Sequence, residues 1–242
     1  SGDNTSSMTP VRVSMELSSQ FWESVELGYG HTCGFIDTVP DLELYCWGSN
    51  YDWQYGDGGE SQNGGGAESS NVPVQISIPG AGATIDWDFP LDLSIGGHAC
   101  MTGQRTLGDD VDFPLVCWGN NDLGELGNGS TSDISTVPVA TSITGLVAEF
   151  SVGEGTSCAI VNDSQLYCWG ENDHGQIGTL PGDPDDDGYL PHSSNPVLVQ
   201  FEAQSSEPNS SVPIEVEIPA GFAGIPTNTL SAGGDGACAI TT

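Results

Sequence analysis

The chain has 242 residues, 36% of them apolar, with 34 glycines and 15 prolines, so it can bury a core but does not favour long helices. Two basic residues, Arg12 and Arg105, stand against 34 acidic ones, and the formal net charge is −32. Because nucleic acids and anionic membrane surfaces are bound through clustered lysine and arginine, both partner classes are excluded. No apolar run approaches the roughly 18 residues of a membrane span, so no direct membrane insertion is expected.

A glycine-rich motif that ends in cysteine occurs four times along the chain. Its copies are Gly28–Cys33, Gly96–Cys100, Gly153–Cys158 and Gly233–Cys238. An acidic and polar N-terminal segment that contributes a first strand, residues 1–24, precedes them. The recurrence divides the rest, residues 25–242, into approximate repeats 25–95, 96–152 and 153–230, with 231–242 as the start of a further repeat.

A second motif, Cys-Trp-Gly-x-Asn, follows the first three copies. It runs through Tyr45–Asn50, Val116–Asn121 and Tyr167–Asn172, each followed by a glycine-rich loop. Short β-branched runs bounded by Gly, Pro, Asn and Asp predict strands, and no stretch shows a helical apolar period. A strand-rich repeat of about 50–70 residues is typical of one blade of a radial β-propeller. The sequence therefore predicts an all-β chain of three to four blades, with Trp47, Trp118 and Trp169 as structural plugs between blades.

The pattern Trp-Gly-x-Asn-x-x-Gly-[Gln/Glu]-[Leu/Ile]-Gly resembles the regulator of chromosome condensation repeat. The resemblance covers roughly residues 25–242 and implies blades of a seven-bladed propeller, of which this chain supplies a partial or oligomer-completed ring. Trp53 departs from the pattern, because Gly124 and Gly175 stand at its position in the other copies. The founding member of the family binds chromatin and promotes nucleotide exchange on a small GTPase, but the acidity of this chain opposes chromatin and the motif itself is scaffold. The family also includes secreted propellers, one of them a β-lactamase-inhibiting protein, and the cysteines favour that branch.

Six of the seven cysteines fall at the same two positions of three predicted hairpins, where antiparallel neighbours can reach disulfide distance. The predicted pairs are Cys33–Cys46, Cys100–Cys117 and Cys158–Cys168. Buried free thiols are the alternative, whereas the spacing does not fit a zinc site. Three such disulfides indicate an oxidising, extracellular location. Cys238 matches the first member of a fourth pair. It is predicted to be unpaired within these residues, either because the native chain continues or because it forms an intermolecular bond.

An aspartate-rich loop resembles a calcium-binding loop. Asp183, Asp185 and Asp187 occupy alternate positions before Gly188, as monodentate calcium ligands do. Ser194 stands where a bidentate glutamate is usual, and a solvated acidic turn is the alternative. Calcium is therefore the one cofactor that the sequence suggests.

Four Asn-x-Ser/Thr sequons suit a surface glycoprotein. They place candidate glycosylation sites at Asn4, Asn128, Asn162 and Asn209.

No catalytic motif is present, and the chain has no lysine for a Schiff base or a phosphate clamp. His31 and His98 share one repeat position with Thr156 and Asp235, which indicates that they brace a turn. The sequence therefore predicts a protein that is not an enzyme. The first hypothesis is an extracellular structural or adhesive propeller that assembles with protein partners or copies of itself, at a cell surface or in a filament. The alternative is a secreted propeller that binds or inhibits a single target protein.

Overall fold

The computed structural model describes residues 9, 13, 21–37, 42–58, 69–76, 90–103, 105–107, 110–131, 134–162, 165–178, 191–199, 229–233 and 237–240. Over these residues the chain contains strands and turns and no helix. Three four-stranded antiparallel sheets follow one another, and a strand pair begins a fourth. They form an open ring of β-propeller blades, so the predicted fold class is confirmed.

Blade 1 consists of β1 (Phe21–Leu27), β2 (His31–Asp37), β3 (Leu42–Gly48) and β4 (Ser70–Ile76). Blade 2 consists of β5 (Pro90–Ile95), β6 (His98–Gly103), β9 (Leu115–Asn120) and β10 (Ile134–Ala140), with a short ladder of β7 (Arg105–Leu107) and β8 (Asp110–Asp112) beyond its central hairpin. Blade 3 consists of β11 (Val147–Val152), β12 (Thr156–Val161), β13 (Gln165–Gly170) and β14 (Ser193–Leu198). A fourth unit begins with β15 (Thr229–Ala232) and β16 (Ala237–Ile240).

The sheets are offset from the sequence repeats by one strand. The sequence repeat that begins at residue 96 starts at β6, the second strand of blade 2. The first strand of blade 2, β5, belongs to the end of the preceding sequence repeat. The first strands of successive blades contact one another, β1 with β5, β5 with β11 and β11 with β15, so they line the axis of the ring. Each sheet is therefore assembled across a repeat boundary.

The core lies between blades. One buried cluster joins blades 1 and 2 through Phe35, Leu44, Leu93, Met101 and Trp118, among others. The equivalent cluster joins blades 2 and 3, and a third joins blade 3 to β15. Because each sheet buries both faces only when a neighbour stands on each side, the blades depend on one another for their apolar burial.

Glycines close the turns between the first and second strands of each blade because those turns stack backbone to backbone. The Tyr29 N–H donates to the Gly96 carbonyl at 2.9 Å, and the Gly97 N–H donates to the Gly153 carbonyl at 3.1 Å. A Cβ at Gly96 would overlap the Gly153 carbonyl. The Gly-rich motif recognised in the sequence is therefore a requirement of this close approach.

The structure contains the three predicted disulfides, Cys33–Cys46, Cys100–Cys117 and Cys158–Cys168. Each joins directly opposed residues of the second and third strands of one blade. All six sulfurs lie in the clusters between blades, with side chains at most 2% exposed. The same bond is therefore repeated at the centre of each complete blade.

We expect the double substitution of Cys158 and Cys168 by alanine to lower the free energy of unfolding by roughly 3 kcal/mol, because the bond closes a loop of about 10 residues in the unfolded chain. Thermal unfolding without reductant measures the loss. Wild-type protein unfolded with reductant is the control and should lose more, since all three bonds open. Equal stability of variant and wild type without reductant would contradict the prediction.

Candidate protein-interaction surface

We call the contact region between two successive blades a joint. Each joint between complete blades contains a buried tryptophan that donates a hydrogen bond to the preceding blade. The Nε1–H of Trp118 donates to the Gln54 carbonyl at 2.8 Å, and that of Trp169 donates to the Glu125 carbonyl at 2.8 Å. Both indoles are fully buried. Two residues after each carbonyl a glycine packs against the ring, and a Cβ there would approach the indole to about 2.5 Å at Gly56 and 2.6 Å at Gly127.

The asparagine of Trp-Gly-x-Asn shapes the loop that receives the next tryptophan. The Oδ1 atoms of Asn50, Asn121 and Asn172 accept hydrogen bonds from backbone N–H groups five residues later, at 3.0, 3.0 and 3.2 Å. The Nδ2 groups of the latter two donate to backbone carbonyls of Ser130 and Pro191. These buried amides satisfy backbone groups that the turn leaves without sheet partners.

A glutamine or glutamate in the same loop caps the turn. Gln54 accepts from the Asp52 N–H at 3.0 Å, and Gln176 accepts from the His174 N–H at 2.9 Å. Glu125 does the same with the Leu123 N–H at 2.8 Å, although only 1% of it is exposed. Burial raises the pKa of the Glu125 carboxyl, and the carboxylates of Asp122 and Glu171 add to this effect, while backbone hydrogen bonds oppose it.

Trp53, the departure noted in the sequence, adopts the left-handed backbone of the glycines that it replaces. Its φ is 56°, against 85° at Gly124 and 83° at Gly175. At Gly124 a side chain is also excluded by the Ser194 backbone. The turn is therefore preserved in blade 1, at the cost of a conformation that residues with side chains rarely adopt.

Trp47 differs from its two counterparts because, among the described residues, no preceding blade receives it. It is only partly buried and lies 5.5 Å from the ring of Trp22. On the same face, Leu27 is 76% exposed and Val25 is 45% exposed, whereas the residue equivalent to Leu27 in blade 2, Ile95, is 5% exposed. We call the side chains of Trp22, Val25, Leu27, Tyr45 and Trp47 the open face.

The ring of Trp22 partly covers the other side chains of the open face, where a neighbouring blade would otherwise pack. Its ring lies 6.2 Å from that of Tyr45 in an edge arrangement and packs over Gly34, where a Cβ would approach the indole to 2.9 Å. Blade 2 has the fully buried Met101 at the position of Gly34. Blade 3 has Ala159 at this position, so Gly34 is the smallest residue of the three, and the ring of Trp22 occupies the space above it. An apolar and aromatic face of this kind is suited to a protein contact, with a further blade or with a partner.

The other predicted site residues lie apart from the open face. Asn128 accepts a hydrogen bond from the Ser130 N–H at 3.0 Å, and the exposed Asn162 accepts one from the Leu146 N–H at 3.2 Å, so two sequons occupy surface turns. Cys238 stands opposite Ser231 in the fourth unit. The remaining candidates lie outside the described residues, namely Asn4, Asn209, Asp183, Asp185 and Asp187.

Neither a metal site nor a membrane span is found in the described part of the chain. No group of three or more His, Cys, Asp or Glu side chains there could hold a metal ion. No helix there is long and apolar enough to cross a bilayer.

The sequence analysis did not identify three residues that contribute to the open face or to the contacts between blades. It did not assign a role to Trp22, to the buried Glu125, or to Ser157, which links His98 of blade 2 to blade 3. The one signal for the role of Trp22 was that blade 1 has a glycine, Gly34, where the other blades have a larger residue. This difference is visible only when the repeats are aligned strand by strand.

The three blades with their tryptophan joints define the chain as part of a β-propeller. Residues 147–176 match the model of the regulator of chromosome condensation (RCC1) repeat, and the chain belongs to that repeat family. The E3 ubiquitin-protein ligase HERC2 of Homo sapiens is 28% identical over 201 residues, 82% of this chain and 4% of that protein. The X-linked retinitis pigmentosa GTPase regulator of Canis lupus familiaris is 39% identical over 167 residues, 67% of this chain and 15% of that protein. The chain thus spans a small part of these curated relatives.

Two solved structures share the fold. Prp20p from Saccharomyces cerevisiae, described with its binding properties to Gsp1p and histones, superposes with a TM-score of 0.55 at 17% identity, covering 74% of this chain and 38% of that one. Human WBSCR16 gives a TM-score of 0.56 at 22% identity, covering 80% of this chain and 44% of that one. At these identities the likeness establishes the architecture alone.

We expect Gly127→Ala to destabilise the protein more than Gly129→Ala. Both glycines have positive φ, 61° and 83°, so the backbone strain is similar. A Cβ at position 127 meets the Trp169 indole at 2.6 Å, whereas one at position 129 meets the side chain of Asn195 at 3.2 Å. Thermal unfolding of both variants isolates the contact with the indole. Equal losses would show that the tryptophan joint does not need this glycine.

We expect Glu125→Gln to remove the loss of stability that the wild type shows between pH 4 and pH 7. The pKa of Glu125 is higher in the folded than in the unfolded state, so the wild type loses stability as the pH rises between these two values. Glutamine keeps the acceptor for the Leu123 N–H, as Gln54 and Gln176 show, but loses the one for Asn120 Nδ2, so the test is the pH dependence and not the stability at one pH. The matched variant Gln176→Glu should lose stability at pH 7. Unfolding curves from pH 4 to 8 test both, and parallel curves for wild type and Glu125→Gln would contradict the prediction.

Proposed function

We propose that the chain is an extracellular, non-enzymatic structural or adhesive propeller module that mediates protein–protein assembly at a cell surface or in an extracellular filament. The observation that carries this proposal is the open face, an exposed apolar and aromatic surface at one end of the row of blades. Repeat propellers of this family offer broad surfaces for proteins, and Prp20p is described with protein partners. The partners proposed here are proteins, including copies of this chain.

The extracellular setting is supported by the three disulfides, since such bonds persist mainly in oxidising compartments. It is also supported by the charge of −32, which suits a salty medium where the repulsion between acidic blades is screened. Calcium bound by Asp183, Asp185 and Asp187, and glycans on the sequons, belong to the same proposal. The alternative is a secreted propeller that grips one target protein.

Light scattering and sedimentation of the purified chain in 0.1–1 M salt test the assembly. We expect particles larger than the 25.1 kDa monomer, at a fraction that rises with salt because screening weakens the repulsion between chains. Leu27→Asp should return the chain to monomers, because it places a charge at the most exposed apolar residue of the open face.

Leu146→Asp is the matched control, because Leu146 is also exposed, 56%, but lies outside the open face. It should leave the particle size unchanged. A wild-type chain that stays monomeric at every concentration and salt level would contradict self-assembly. Such a monomer would favour the single-target alternative.

A further inference from the structure

Two histidines share one position in the joints between blades, next to the stacked glycine turns. His31 begins β2 in blade 1 and His98 begins β6 in blade 2, and both side chains are at most 2% exposed. Thr156 holds this position in blade 3 and donates to the Glu171 carbonyl at 3.2 Å. The three joints therefore have the same backbone but different chemistry, two with an ionisable ring and one without.

The ring of His98 is bonded across its joint. Its Nε2 lies 2.6 Å from the Ser157 Oγ in blade 3, and that hydroxyl donates to the Glu125 carbonyl at 3.0 Å. Since the hydroxyl proton goes to Glu125, the network assigns the Nε2 proton to His98, which donates to Ser157. The Trp169 indole donates to the same carbonyl, so the joint between blades 2 and 3 contains a connected polar network.

The ring of His31 lacks this network. The residue of blade 2 at the position of Ser157 is Ala99, which has no hydroxyl. Within the described residues, neither ring nitrogen of His31 makes a hydrogen bond of normal geometry, whereas in His98 only Nδ1 lacks one. A buried polar group left in this state weakens the joint that contains it. The joint between blades 1 and 2 is therefore the weaker of the two histidine joints.

The surroundings of both rings disfavour a charge. Burial lowers the pKa of His31 to about 4, partly offset by the Tyr29 carbonyl. Burial lowers the pKa of His98 to about 3, partly offset by the Glu154 carbonyl, and His31 adds to the lowering. The packed elements carry further carboxylates, namely Glu26 on β1, Glu43 on β3, Asp52 and Asp57 in the loop of blade 1, and Glu154 in the turn of blade 3. The causes of the two shifts are burial, one backbone carbonyl for each ring and, for His98, the neighbouring His31.

We propose that the two histidine joints are acid-sensitive and that the joint between blades 1 and 2 opens first, which releases the open-face blade while the contact between blade 3 and the fourth unit stays closed. When a joint opens, its histidine regains an ordinary pKa near 6.5 and takes up a proton. Acid therefore favours the open state. This acid sensitivity goes beyond the proposed assembly role, because it concerns contacts between blades of one chain.

Hydrogen exchange read peptide by peptide at pH 7.5, 6 and 5 tests the proposal, after correction for the intrinsic effect of pH on exchange. The equilibrium constant for opening of the joint that contains His31 should be about 30-fold higher at pH 5 than at neutral pH. Peptides from β1–β3 should lose protection first, and those from β15 should respond least to pH.

His31→Thr installs the residue that blade 3 uses and should remove the acid response of blade 1. Ala99→Ser supplies the missing hydroxyl and should slow exchange in blade 1 at neutral pH. Ser157→Ala is the reciprocal control and should make the joint between blades 2 and 3 open more readily. Unchanged protection of wild-type blade 1 between pH 7.5 and 5, or an equal acid response in His31→Thr, would overturn the proposal.

Discussion

The indole N–H of one blade, donated to a loop carbonyl of the blade before it, is the interaction on which the architecture depends. The bond occurs at Trp118 and Trp169 with the same length, 2.8 Å, and in both joints a glycine lies against the ring. Burying an indole leaves its N–H in need of an acceptor, and the loop supplies one only if its turn has the correct shape. The asparagine, the glutamine or glutamate, and the glycine that lies against the ring all serve that requirement.

This dependence makes each blade incomplete by itself. A sheet with one covered face leaves apolar side chains in water, which is the state of blade 1, where Leu27 is 76% exposed. Trp22 moves an aromatic ring over part of this surface and does not make it polar. An adaptation to solvent would instead replace these side chains by charged ones, of which this chain has an abundance. The retained apolar character is the physical reason for proposing that this face contacts protein.

The sequence was sufficient to predict the repeat, the strands, the propeller and the three disulfides, because all of them follow from local patterns that recur. It was not sufficient to predict the offset between repeat and sheet, because pairing of β5 with β6 is decided by contacts across the repeat boundary. The role of Ser157 was hidden for a similar reason. Its partner His98 is 59 residues away, and neither residue is unusual in its own segment. Trp47 was expected to plug a joint like its counterparts, but no described blade precedes it.

Differences between otherwise equivalent joints are the most informative features of this chain. The stacked glycine turns keep the backbone geometry of the joints constant. A change of side chain therefore alters the chemistry of a joint and leaves its backbone almost unchanged. Glu125 places a buried acid where the other loops have an amide, and Ala99 of blade 2 holds the repeat position at which blade 3 has Ser157, the partner of His98. The first change penalises the joint between blades 2 and 3 as the pH rises, and the second penalises the joint between blades 1 and 2 as the pH falls. A row of near-identical blades can in this way hold together most firmly within a limited range of pH, although its fold is the same throughout.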